Sequence, residues 1–65
     1  MDDSSKLMLM DAYDETVRDA IAAGHSSDIA HKEGITAAAM FLSSMTGLED
    51  NAARNQVEGL GLKPH

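Results

Sequence analysis

The chain has no cysteine, no tryptophan, one proline, one tyrosine and one phenylalanine, and only five lysines and arginines against eleven aspartates and glutamates. Each shortage removes a class of explanation. Without cysteine, neither a disulfide nor a thiolate zinc site can hold a small fold together. The lone proline, Pro64, lies next to the end, so no proline interrupts a helix before it. The scarcity of aromatic rings leaves core volume to leucine, methionine and ten alanines, which are flexible or small. The cations Lys6, Arg18, Lys32, Arg54 and Lys63 are scattered, and the formal net charge is −6. Affinity for phosphate backbones and anionic lipid surfaces comes from clustered Lys and Arg, so neither direct nucleic-acid binding nor a membrane-surface role is expected. Near the start, the apolar run Leu7 to Met10 is four residues long, short of both a secretory signal and a membrane span. The expected location is the cytoplasm.

What remains is helical patterning on 65 residues, the length of one small domain, residues 1–65. Chains below about 70 to 80 residues rarely gain more than about 3 to 5 kcal/mol from one core, so association is the expected supplement. The spacing predicts helices over approximately 5–23, 27–45 and 48–60, with a tail at 61–65. Ser4 or Ser5 is expected to cap the first helix, with Asp2 and Asp3 just outside it, and Gly24 to terminate it in the left-handed conformation. At 100° per residue, Leu9, Met10, Tyr13, Val17, Ala20 and Ile21 share one face. Asp11, Asp14, Glu15, Arg18 and Asp19 gather on the other.

The second helix, capped by Ser26 or Ser27, collects Ala30, Gly34, Ile35, Ala38, Phe41, Leu42 and Met45 on one side, with His31 in the same arc. Ala30, Gly34 and Ala38 are four residues apart and form a strip poor in side chain. A mid-helix glycine costs about 1 kcal/mol against alanine, so the strip implies close approach of another helix, in the same chain or in a second copy. Ile29 and Met40 form an additional apolar patch on the polar side, to be covered by the third helix or by another subunit. In the third helix Ala53, Val57 and Leu60 make the stripe, joined by Leu48 and Ala52. Thr46 and Glu49 have capping-box spacing, although Gly47 equally suits the end of the second helix. Gly59 or Gly61 ends the third helix, with Leu62 folding back.

Chemistry-bearing residues are sparse. His25, Asp28, His31 and Lys32 are the only titratable cluster resembling a site, yet His25 and His31 fall on different sides of a continuous helix, and metal or catalytic use needs convergence. His25 reads as a loop residue and His31 as a packed or interface histidine; a contact between copies at His31 would respond to mild acid, since imidazole titrates near about 6.5. Ser26 and Ser27 read as caps. The neighbouring carboxylates Asp14 and Glu15, or Glu49 and Asp50, read as solvated faces, lacking the burial that separates two pKa values. A small acidic helical protein invites comparison with acyl carrier proteins, but their attachment serine lies in an Asp-Ser-Leu context that is absent here.

The expectation is therefore an all-α fold, an antiparallel two-helix hairpin plus a short third helix, pairing into a helical-bundle homodimer. The expected function is a non-enzymatic, self-associating interaction or adaptor module without cofactor or metal. Its contact residues are Ala30, Gly34, Ala38, His31, Ile29, Met40, Phe41, Leu60 and Leu62, and its partners are itself and another protein. The alternative is an inhibitor, possibly encoded by a phage, that mimics nucleic-acid charge with Asp11, Asp14, Glu15 and Asp19 and occupies a basic groove.

Overall fold

Asp2 starts the first helix: its carboxylate accepts a 2.8 Å hydrogen bond from the backbone N–H of Ser5, which satisfies one orphan donor of the first turn. In this computed structural model, which describes residues 2–64, α1 runs Asp3–Ala22, α2 Ser27–Thr46 and α3 Asp50–Glu58. Ser4 and Ser5, expected as caps, lie inside α1. The aspartate takes the position because its charge also meets the positive end of the helix dipole. Hydrogen bonds from Ser5 hold the Asp2 carboxyl below its ordinary value of 3.8. A depressed folded-state pKa contributes stability above the unfolded value and loses it as pH falls through the folded one. Asp2→Ala is thus expected to melt earlier than the parent at pH 7, with the gap closing as both are titrated down through and below the ordinary carboxylate range; a gap constant with pH would contradict the cap.

Gly24 adopts φ +93° and ends α1 as expected. The His25 N–H donates to the Ala20 carbonyl and the Gly24 N–H to the Ile21 carbonyl, each at 3.0 Å, the paired closure of a Schellman motif. Ser26 caps α2 through a 3.3 Å bond accepted from the Ile29 N–H. Gly47, at φ +75°, closes α2. Thr46 therefore belongs to α2 and does not cap α3: its hydroxyl donates to the Leu42 carbonyl at 2.8 Å and accepts from the Leu48 N–H at 3.3 Å. The capping box fails because Gly47 has already turned the chain. Glu49 occupies the cap position of α3 without a side-chain cap bond, and Leu48 is a linker residue whose carbonyl accepts from the Ser43 hydroxyl at 2.6 Å. Gly59 stays right-handed and Gly61, φ +71°, makes the turn.

α2 is the central element, packed on α1 and on α3. The core is Leu9, Tyr13, Val17, Ala20, Ala30, Ile35, Ala38, Ala39, Leu42, Ala53 and Val57, five of them alanine. Phe41, Leu48, Leu60 and Leu62 are partly buried against it. Ile21, expected on the inner face of the first helix, is 45% exposed, and Met45 is also exposed. Both lie near helix ends. The Arg54 guanidinium donates to the Thr36 hydroxyl at 3.2 Å and ties α3 to α2. The longest dimension, 32 Å, matches the length of about 30 Å expected for a 20-residue helix, so α1 and α2 set the size of the molecule.

Candidate functional site

The small-residue strip is occupied within the chain. Ala30, Gly34 and Ala38 are all buried, and a methyl group built at Gly34 would lie 2.6 and 2.8 Å from two ring carbons of Tyr13 and 2.8 Å from a methyl of Val17. Gly34 is present because α1 lays a tyrosine ring and a valine directly on the α2 backbone. The strip is therefore closed to a second copy while this packing holds.

His31 completes the same seam. Its Nδ1 is 2.6 Å from the Tyr13 hydroxyl, and the two rings meet edge to face at 5.6 Å and 75°. Tyr13 is fully buried, and burial, with a smaller contribution from the Asp14 charge, pushes its phenol above the ordinary value of 10.0. This partnership was missed from sequence, although both residues fall in the inward arcs of their helices on either side of the Gly24 turn. Of the remaining members of the expected titratable cluster, His25, Asp28 and Lys32 are exposed, and Asp28 borders one hollow with His31. Among the described residues no group of three or more His, Cys, Asp or Glu is placed to hold a metal ion.

The C-terminal segment lies across α1 and α2. Leu62, Lys63 and Pro64 border one hollow with Ser27, Asp28 and His31, and Leu60 to Lys63 border another with Lys6, Met10 and Asp14. Leu60 and Leu62, expected in a partner surface, are half-buried on their own core. Phe41 is likewise packed at home.

Ile29 and Met40 remain outside, 46% and 65% exposed, and α3 does not cover them. Eleven residues separate them, three turns, so they share a face about 16 Å apart along the axis. Lys32, Glu33, Thr36 and Ala37 lie along the same flank beside Met40. On α1, Asp11, Glu15 and Asp19 are exposed at four-residue steps, while Asp14 is half-buried and engaged in an interaction. Leu7, Met8, Ile21 and Met45 are the other exposed large apolar residues.

A third feature is an open groove of about 530 Å³ where the start of α1, the end of α2, the linker residue Leu48 and Gln56 in the last turn of α3 meet. Leu42, Met45 and Leu48 supply its apolar lining, and Ser5, Thr46 and Gln56 its polar edge. Sequence reasoning missed it because it is made by residues of three helices and a linker that no periodicity connects. No protein-family model, curated protein or solved structure matches the chain. Among the described residues no helix is long and apolar enough to cross a membrane.

Proposed function

We propose that the chain is a non-enzymatic interaction module that pairs with itself and presents a composite surface to a protein partner. One observation carries this reading: six large apolar side chains, Leu7, Met8, Ile21, Ile29, Met40 and Met45, stay 40–65% exposed beside a core of which nearly half is alanine. A chain this short has little interior to spend, and apolar groups left outside it gain most by being covered. In the reading favoured here α1 and α2 form an antiparallel hairpin, and the outer face of α2 is the pairing surface. A twofold axis across the middle of that helix sets Ile29 of one copy opposite Met40 of the other, the self-complementary arrangement a symmetric dimer needs.

Solution mass tests it directly. The parent is expected at twice 6.9 kDa at micromolar concentration, with dissociation on dilution. Met40→Asp and Met40→Lys, which remove the same apolar surface with opposite charges, are both expected to give a monomer while changing the monomer's own stability by less than about 0.5 kcal/mol, the usual range for exposed positions. A parent that is monomeric at every concentration, or a pair indifferent to both substitutions, overturns the pairing.

A second reading rests on the exposed line of Asp11, Glu15 and Asp19, about 6 Å apart along the axis. These residues suit an inhibitor that occupies a basic groove in place of nucleic acid. Such binding is steered by charge and collapses at high salt, whereas an apolar contact survives it.

A further inference from the structure

We infer that the groove between the ends of the three helices is a docking site for a basic peptide segment of a protein partner, one that offers a large apolar side chain flanked by lysine or arginine. The inference rests on the interaction-module reading but not on self-pairing. Its first support is the floor: Leu42 is 1% exposed at the bottom, and Met45, 40% exposed, and half-buried Leu48 form the walls. Methionine walls are unbranched and polarisable, so they adapt to an inserted aliphatic or aromatic group.

The second support is the charge around that floor. The Asp2 carboxylate is bonded to the backbone of Ser5, a lining residue, and Asp3 follows it in the first turn. Glu49 and Asp50 come directly after the lining residue Leu48, and both are exposed. Four carboxylates thus lie within three residues in sequence of the lining of an apolar depression, against Lys6 and an Arg54 already bonded to Thr36, and no lysine or arginine is in the lining itself. The positive ends of α1 and α3 offset only about half a charge each, and α2 brings its negative end to the same place, with no basic residue in its last turn. A second copy of this chain offers only five scattered cations to match the rim, and an acidic or neutral apolar segment gains nothing from it. A cation beside an apolar anchor satisfies the rim, the exposed end of α2 and the floor together.

The test uses the full chain, labelled for NMR, and two probes: a short Leu/Lys amphipathic peptide and its Leu/Glu counterpart. The Leu/Lys peptide is expected to shift the methyl signals of Leu42, Met45 and Leu48 and the amides of Thr46 and Gln56, and the Leu/Glu peptide to shift none of them. Met45→Ser is expected to weaken binding at least tenfold. Glu49→Gln with Asp50→Asn, both exposed, is expected to weaken it several-fold and to flatten its dependence on sodium chloride between about 50 and about 500 mM. Shifts spread along Asp11, Glu15 and Asp19, equal binding of the two peptides, or full affinity in Met45→Ser overturns the proposal. Solution mass without peptide separates the two hypotheses. A monomer that binds the Leu/Lys peptide here keeps the groove and removes the pairing, whereas a dimer that ignores both peptides does the reverse.

Discussion

Gly34→Leu is expected to leave the chain largely unfolded at room temperature, with loss of the helical circular-dichroism signal and of any cooperative melt. Even the first carbon of a side chain at this position would lie 2.6 Å from Tyr13 and 2.8 Å from Val17, and neither neighbour has an easy way out. Tyr13 is fully buried and fixed at its far end by His31, while valine is branched next to the backbone. Overpacking a filled core costs about 1 to 3 kcal/mol per modest insertion, and leucine adds three further carbons that force α1 off α2. A fold that holds about 3 to 5 kcal/mol cannot absorb that loss. Gly34→Ala separates the two opposing effects. Helix propensity returns about 1 kcal/mol and the clash removes about 1 to 3, so the net expectation is a loss of about 1 kcal/mol and a melting temperature lower by about 4 to 8 °C. An alanine variant that melts higher than the parent would show that Tyr13 yields freely and that the glycine is not needed for the contact.

The number and order of helices, the Gly24 terminator, the Ser26 cap and most of the core could be read from the sequence because each depends on residues within a few turns. Leu9, Tyr13, Val17 and Ala20 follow one helical stripe and are buried together. Ile21 lies in the same arc by angle alone and is exposed, since angular position says nothing about where along its length a helix is covered. Ala39, on the flank of α2, is buried although it lay outside the inner arc, because α3 packs on α2 and widens the covered face. The strip Ala30, Gly34 and Ala38 announced close approach but could not name the neighbour, for a helix from the same chain and one from a second copy place the same demand on it. Tyr13 with His31, Arg54 with Thr36 and the terminal groove are tertiary juxtapositions, and a one-dimensional pattern carries no signal for them. Electrostatic choices were partly hidden too. Serine and aspartate cap with similar strength, so the neighbouring Asp2, Asp3, Ser4 and Ser5 left the first residue of α1 to be decided by the chain's path.

His31→Phe is expected to cost about 2 kcal/mol, or roughly 8 to 16 °C in melting temperature, in the parent and close to nothing in the Tyr13→Phe background. The parent carries a fully buried phenol whose hydroxyl lies 2.6 Å from the imidazole Nδ1. Phenylalanine keeps a flat ring against the edge of Tyr13, so the aromatic contact, worth about 0.5 to 1.5 kcal/mol, survives in altered form. What vanishes is the hydrogen-bond partner, and the bulk of the new ring keeps water from replacing it. An unsatisfied buried hydroxyl costs about 1 to 3 kcal/mol, whereas removing both polar groups and keeping the shapes is nearly neutral. His31→Ala should fall between these limits, because the space it vacates borders the hollow beside Ser27 and Asp28 and admits water to the hydroxyl. Tyr13→Phe alone leaves a half-buried imidazole that can turn to solvent, so its cost is expected to stay near 1 kcal/mol. Chemical denaturation of the four combinations gives the coupling between the two residues directly. Equal penalties for His31→Phe in both backgrounds would show that ring packing alone joins α1 to α2 at this point, and that the hydrogen bond adds nothing to the seam.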